Sequence, residues 1–307
     1  MNFKDLRIVF MGTPDFAKAS LQALHEAGCN IVGVITAPDK PAGRGMKLQH
    51  SSVKAYAVEH DLRLLQPEKL KNQDFLNELA SLTADLQVVV AFRMLPEQVW
   101  NMPSMGTVNL HASLLPDYRG AAPINWAVIN GEAKTGLTTF KLQHDIDTGN
   151  ILLQEELPIG AEETAGELHD RMMATGAQLL LQTIRGIAEG TITEKPQGHS
   201  TRHKHAPKIF TDTCRIAWDK PAEEVYNQVR GLSPFPGAFT IFQDKILKIY
   251  TAEKEITPAR EAPGEYVIEN GRIKFSCTNG YIYPKIIQAE GKKKMPVEDF
   301  VRGLRLN

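Results

Sequence analysis

The chain has 307 residues, 42% of them hydrophobic and 23% charged, with a formal net charge of −1. That length predicts two domains, and the composition excludes disordered and fibrous classes. No apolar run approaches the roughly eighteen residues of a membrane span, and the N-terminus lacks the apolar core of a signal peptide, which predicts a cytoplasmic protein with no membrane partner. Cys29, Cys214 and Cys277 are odd in number and scattered. Inert, buried thiols are expected from them rather than disulfides or a zinc site.

In chain order, Leu6 to Met11 is an apolar strand ending at Gly12, and Asp15 to Ala27 has helical periodicity. Between them lies Gly12-Thr13-Pro14-Asp15-Phe16, where backbone N–H groups at a helix start could receive an anion, with Asp15 as the N-cap. Gly12 and Thr13 are therefore candidate substrate contacts. One glycine is too few for a dinucleotide fingerprint, which disfavours a nicotinamide oxidoreductase.

A second strand is expected over Ile31 to Thr36. The irregular connection that follows, Ala37 to Leu48, is long for a βα loop and carries Lys40, Arg44 and Lys47 around a Gly-Arg-Gly core. Such a loop is a substrate-binding element or a tolerated insertion. Next come a helix near Ser52–His60, a short strand Leu62–Leu65, a helix near Asn72–Ser81 and a strand Leu86–Ala91. This alternation predicts an α/β domain with a Rossmann-like parallel sheet, which binds ligands beyond the carboxyl ends of its strands.

Gly106 to His111 alternates with period 2, so Asn109 and His111 share one face near a strand end. Ser113-Leu114-Leu115-Pro116 follows as a turn, and His144 to Gly149 supplies Asp145 and Asp147 in another. An ordinary hydrogen-bonded polar pair at a strand end is one reading. The shared face and the acidic turn favour another, chemistry at a carbonyl. Acyl transfer to an amine passes through a tetrahedral oxyanion, which an Asn amide and a protonated His can hold. A carboxylate beside the imidazole favours its charged form, and Asp147 could also relay a proton.

After a helix over Ala165–Glu189 comes a stretch, 191–208, with Lys195, Arg202, Lys204 and Lys208 against Glu194, and with His199, His203 and His205. Residues 1–190 sum to −6, which leaves +5 for the remainder of a chain of net charge −1. The linker is either merely solvated or a contact for nucleic-acid phosphate. From Ile216 onward a helix starting at Pro221 precedes strands at Ala238–Phe242, Lys245–Tyr250, Glu265–Ile268, Arg272–Cys277 and Tyr281–Ile287, with Asn270-Gly271 and Asn279-Gly280 as hairpin turns. A small OB-like β-barrel is predicted. The expected domains are 1–190, a basic linker at 191–208, and 209–307.

At Asn109-x-His111, Ser113-Leu114-Leu115-Pro116 and Asp147-Thr148-Gly149 the chain resembles the 10-formyltetrahydrofolate-dependent formyltransferases. Gly12 to Phe16, the 38–47 loop and Leu232 to Ala238 are similar to the members that act on tRNA, so the resemblance covers nearly the whole chain. It implies formyl transfer from 10-formyltetrahydrofolate to the amino group of methionyl-tRNA, giving N-formylmethionyl-tRNA for translation initiation. Asn109, His111 and Asp147 would then be catalytic. Folate would meet Ser113, Leu114, Leu115, Pro116, Phe92, Met94, Leu95, Asp145 and Ile146. Gly12, Thr13, Lys40, Arg44, Lys47, Lys204 and Lys208 would meet the aminoacylated initiator tRNA. Phe92-Arg93-Met94 departs from the family's usual small or glycine-containing segment, which bears on the pterin contacts. No metal is required, and the chain is expected to act as a monomer. A formyltransferase acting on an aminosugar nucleotide would share the same trio, and a nucleic-acid-binding protein without activity is a further alternative.

Overall fold

The structure is a computed structural model that describes residues 1–42, 47–198 and 203–304. In chain order its elements are β1 Arg7–Gly12, α1 Asp15–Glu26, β2 Asn30–Ile35, β3 Lys40–Ala42, β4 Lys47–Gln49, α2 Ser52–Glu59, β5 Leu64–Leu65, α3 Gln73–Ser81, β6 Leu86–Val90, α4 Glu97–Trp100, β7 Thr107–His111, β8 Arg119–Gly120, α5 Pro123–Ile129, β9 Lys134–Lys141, β10 Ile151–Pro158 and α6 Ala165–Glu189. There follow β11 His205–Ala206, α7 Thr211–Cys214, α8 Ala222–Gly231, β12 Ala238–Phe242, β13 Lys245–Ile256, β14 Tyr266–Glu269, β15 Arg272–Cys277, β16 Gly280–Ala289, β17 Met295–Pro296 and α9 Val297–Arg302. The chain divides into two compact units. One comprises residues 1–119, 136–157 and 170–204, and the other comprises 120–135, 158–169 and 205–307.

The first unit is built on a seven-stranded sheet of order β10-β9-β7-β6-β1-β2-β5. The pairs β1–β2, β1–β6, β6–β7 and β2–β5 are parallel, as the βαβ succession predicts, and β9 runs antiparallel to β7. Every residue of β6, Leu86-Gln87-Val88-Val89-Val90, is buried. That is why its sequence reads as a nearly continuous apolar run rather than an alternation: both faces of a parallel sheet are covered. One cluster on this sheet gathers Val9, Met11, Ile35, Phe75, Leu79, Val89 and Val99. Helix α1 lays Phe16, Ala17, Leu21 and Leu24 inward.

Two local expectations change. Asp15 is the first helical residue, and Pro14 takes the cap position, its carbonyl accepting from the N–H groups of Ala17 and Lys18. Proline at this position leaves no side-chain cap, and Asp15 instead faces the positive end of the helix dipole. Within the connection expected to be irregular, β3 and β4 pair antiparallel, Lys40 with Gln49 and Ala42 with Lys47. Arg44, at the expected tip, lies outside the described residues.

In the second unit β12–β13, β13–β16, β16–β15 and β15–β14 are antiparallel neighbours, with β17 beside β16. Register shifts on either side of Thr251 interrupt the regular pairing of β13 with β16, as at a β-bulge. The sheet packs on a core of Leu247, Ile249, Phe275 and Ile282 with Val225 and Val229 of α8, and Trp218 stacks on Phe275 at 4.7 Å. Asn270 and Gly271 both have positive φ, 51° and 74°, as a two-residue hairpin turn demands. The second hairpin differs by one residue. Cys277 pairs with Gly280, so the turn is Thr278-Asn279, and Gly280 is a strand residue whose added Cβ would sit 2.0 Å from the Glu255 carbonyl oxygen. Asn279 instead accepts from the Ala222 N–H through its side chain at 2.8 Å, capping the start of α8.

All three cysteines are buried and free. Burial pushes the Cys29 thiol up to about 11 and the Cys277 thiol up to about 12, so neither is a nucleophile near neutral pH. Phe10 is wholly buried whereas Phe235 is 81% exposed. Phe10→Ala should therefore cost about 3–5 kcal/mol of stability, and Phe235→Ala less than about 0.5 kcal/mol. Urea unfolding of the two variants checks this, and similar midpoints would contradict the core assignment.

Candidate active site

Strand β7 ends where the site begins. Asn109 pairs with Val89 on one side and Phe140 on the other, and His111, two residues on, lies opposite Thr138. The shared parity puts both side chains on one face at the carboxyl end of the strand. Asn109 is half-buried, and among the described residues its side-chain amide has no hydrogen-bond partner.

His111 is buried, with 7% of its side chain exposed. Its Nε2 lies 2.9 Å from the Tyr118 carbonyl oxygen. A carbonyl only accepts, so Nε2 carries a proton and donates it. The other nitrogen, Nδ1, faces Asp147 Oδ2 at 3.8 Å, an ion-pair separation too long for a hydrogen bond. The Phe140 ring meets the imidazole edge-on at 6.5 Å. With Nε2 engaged by Tyr118, Nδ1 is the edge left for chemistry.

Asp147 reaches that position through a left-handed turn. Its φ is 55°, a conformation L-residues adopt at a cost. Thr148 Oγ1 donates to the Asp145 carbonyl at 3.0 Å, and Gly149 lies so close to β9 that an added Cβ would be 1.6 Å from the Lys141 carbonyl oxygen. The turn thus presses its backbone against the strand while the Asp147 side chain, 13% exposed, lies beside His111. Asp145 is 83% exposed, in an ion pair with His144 at 3.5 Å, and Ile146 is exposed as well.

The Gln197 amide, which nothing in the sequence singled out, fastens this turn. Its Nε2 donates to the Asp147 carbonyl at 2.9 Å and the Gly149 carbonyl at 2.8 Å, and its Oε1 accepts from Arg119 Nε at 3.2 Å. A glutamine in a stretch rich in Lys and His carries no local signal of such a role. The same stretch is tied down elsewhere by the Lys195–Ile151 backbone pair and by Lys204, whose N–H donates to Asp117 Oδ1 at 3.2 Å. It is not a merely solvated linker over these residues. His199 and Arg202 lie outside the described residues.

The Ser113–Pro116 loop is held mainly through its backbone. Ser113 is fully buried and its hydroxyl donates to the Asp117 carbonyl at 2.6 Å. The Leu115 N–H donates to Thr138 Oγ1 at 3.1 Å, and its carbonyl accepts from Gln154 Nε2 at 2.9 Å. Leu115 is buried, Leu114 and Pro116 are half-buried, and Leu114 packs over Gly136. A ligand here would meet backbone, Leu114 and Pro116 rather than the Ser113 hydroxyl. Phe92 and Leu95 pack partly into the core, while Met94 is 75% exposed. Arg93 donates to the carbonyls of Pro67 and Glu68, anchoring this segment to the β5–α3 connection. A cavity of about 540 Å³ lined by Gln66, Pro67, Asn72 and Phe75 opens there, and none of Asn109, His111 or Asp147 lines it.

Gly12 has a packing reason of its own. An added Cβ would lie 2.4 Å from Ala17 Cβ and 2.9 Å from the Val90 carbonyl oxygen. Thr13 is half-buried and Lys40 exposed. Lys204 Nζ sits 6.0 Å from the Tyr118 ring centre, and Lys208 Nζ 5.6 Å from that of Phe210. The base of the β3–β4 hairpin is held by Asp39, which accepts from Lys54, Gln66 and His50. These hydrogen bonds, Lys54 first, hold its carboxyl well below the usual carboxylate range. Among the described residues no group of three or more His, Cys, Asp or Glu is placed to hold a metal ion.

Residues 6–184 match the formyl transferase family and residues 208–305 match the formyl transferase C-terminal domain. The chain is 49% identical over 315 residues to the methionyl-tRNA formyltransferase of Bacteroides fragilis, covering 100% of this chain and 97% of that one. It is 52% identical over 316 residues to that of Parabacteroides distasonis, covering 99% and 98%. Among solved structures it is similar to WlaRD, a sugar 3N-formyl transferase crystallised with dTDP and 5-N-formyl-THF, with a TM-score of 0.68 at 18% identity over 94% of this chain and 99% of that one. HypX from Aquifex aeolicus, in complex with tetrahydrofolic acid, superposes with a TM-score of 0.65 at 18% identity over 96% of this chain and 47% of that one. At such identity these two structures speak to the fold alone.

Because the folded carboxyl of Asp39 is held low, its contribution to the hairpin base is complete above the ordinary Asp range near pH ~4 and declines as pH falls further toward the folded value. Asp39→Asn should remove it at neutral pH. Backbone amides of Lys40, Ala42 and Lys47–Gln49 should then exchange with deuterium faster than in the parent protein, and unchanged exchange would discharge Asp39 as the anchor.

Proposed function

This chain belongs to the formyltransferase family, and we propose that within it the chain carries the formyl group of 10-formyltetrahydrofolate to the α-amino group of methionyl-tRNA, giving N-formylmethionyl-tRNA for translation initiation. What supports the reading most is that Asn109 and His111 share a face at the carboxyl end of β7 and that the Asp147 carboxylate lies 3.8 Å from His111 Nδ1. Identity near 50% along the whole chain to enzymes named for that substrate supports the choice of amine.

The residues present suit a folate. Met94 and Ile146 expose apolar surface on which a planar ring can rest. Backbone groups of the Ser113–Pro116 loop, Phe92, Leu95 and Asp145 complete the proposed contacts. In the reaction the neutral amine attacks the formyl carbon. The Asn109 amide and, with the His111 ring protonated on both nitrogens, its Nδ1–H donate to the oxygen of the tetrahedral intermediate as it gains charge. Asp147 holds the imidazole and assists the proton lost by the attacking nitrogen on its way to N10, which leaves as the C–N bond breaks. The arrangement asks for no metal.

For tRNA we assign Gly12, Thr13, Lys40, Arg44, Lys47, Lys204 and Lys208 as contacts. Residues 1–190 are read as the catalytic domain, 191–208 as a basic linker and 209–307 as the tRNA-binding domain, in a cytoplasmic monomer.

Asn109→Ala and His111→Ala are each expected to lower turnover by about 10²–10³, the usual cost of losing an oxyanion donor. Near-parental turnover at saturating substrates would dismiss the oxyanion role. Arg44→Ala is expected to weaken preference for initiator over elongator methionyl-tRNA while leaving formyl transfer intact, and an unchanged competition ratio would remove Arg44 from recognition. Offered methionyl-tRNA, free methionine and an aminosugar nucleotide in parallel, the protein should release folate with the first alone. Transfer only to the sugar would overturn the proposed substrate.

A further inference from the structure

We infer that Gln197 is a positioning residue for the catalytic turn: its side-chain amide ties the backbone of the Asp147 turn to Arg119, the residue that follows Tyr118. The inference rests on the proposed role of Asp147 and deepens it.

The bonding is complete and directional. Gln197 is 8% exposed. Its amide nitrogen bridges the carbonyls of Asp147 and Gly149 at 2.9 and 2.8 Å, and its amide oxygen accepts from Arg119 Nε and Nη2 at 3.2 and 2.5 Å. Both amide protons and both lone pairs thus have partners, which a buried amide needs. Both acceptor carbonyls belong to the turn that contains Asp147, whose φ of 55° is not held by chain preference. Clasping the carbonyls of residues 147 and 149 opposes relaxation of that turn toward ordinary backbone angles, which would move the Asp147 carboxylate from its 3.8 Å approach to His111 Nδ1.

The other arm reaches the opposite side of the imidazole. Arg119 directly follows Tyr118, whose carbonyl receives the His111 Nε2–H at 2.9 Å. Through Arg119 and Gln197, the backbone of the turn that carries the Asp147 carboxylate is hydrogen-bonded to the side chain of the residue that follows Tyr118. The backbone near Gln197 is anchored independently, since Lys195 and Ile151 exchange N–H to carbonyl bonds at 2.8 and 2.9 Å. A substitution at Gln197 therefore changes the side-chain clasp while that anchor remains.

Only an amide fits. A glutamate of the same size keeps the acceptor for Arg119, loses both donors and sets negative charge against two carbonyl oxygens. Gln197→Glu is accordingly the primary test, in the full-length protein with 10-formyltetrahydrofolate and methionyl-tRNA. We expect kcat to fall about 10–100-fold, as small misplacements of catalytic groups do, with KM for either substrate within about threefold and the thermal midpoint near that of the parent. In an Asp147→Asn background, already slow, the same change should cost less than about twofold further, because coupled residues are not additive. Arg119→Lys, which loses the two-pronged contact but keeps the charge, should lower kcat in the same sense and keeps the inference testable if Gln197→Glu folds poorly. Parental kcat in Gln197→Glu beside a crippled Asp147→Asn would overturn the inference alone, as would an equal loss in both backgrounds. Parental kcat in Asp147→Asn itself would overturn the role of Asp147 and the inference with it.

Discussion

The candidate site depends on one buried imidazole held between two acceptors. His111 gives its Nε2 proton to the Tyr118 carbonyl and turns Nδ1 toward the Asp147 carboxylate. The ring lies at the end of β7, a strand paired with β6 on one side and β9 on the other, so its place is set by the sheet. Sites mounted on strand ends hold their geometry better than sites on free loops, and catalysis by preorganised donors depends on that.

Around this centre the loops are held by backbone contacts that leave no room for side chains. Gly149 presses against the Lys141 carbonyl, and Gly136 lies so near Leu114 and the Glu155 carbonyl that added Cβ atoms would come within 2.5 and 2.2 Å of them. The buried hydroxyls of Ser113 and Thr138 fasten the loop after β7 from beneath, Thr138 Oγ1 donating to the Ser113 carbonyl at 2.7 Å. These polar groups shape the site without facing a ligand. A motif that runs Ser-Leu-Leu-Pro therefore acts in two ways: part of it is internal scaffolding, and part is surface.

Much of this was legible in the residues. The apolar runs Leu6–Met11 and Leu86–Val90, buried on both faces, announce strands of a parallel sheet, and the alternation around Asn109 and His111 announces their common face. Hairpin chemistry placed the turn at Asn270-Gly271 correctly, yet it misplaced the next by one residue. There Asn279 caps α8 and Gly280 lies hard against Glu255, long-range demands that local turn propensity does not express. Likewise Asp15 has the right residue type for a cap, but Pro14 occupies the position.

What the sequence determined by itself was the inventory: which strands are covered on both faces, which residues share parity, and that an amide, an imidazole and a carboxylate were available for carbonyl chemistry. Periodicity carries that information because side-chain direction is a local property of the backbone. The tertiary structure alone decided the rest. It set which nitrogen of His111 faces Asp147, buried the Ser113 hydroxyl, and brought Gln197 of an apparently solvated stretch onto the Asp147 turn, 50 residues away along the chain. Hydrogen bonds between such distant residues follow from how the elements pack. No local pattern of residue types records them.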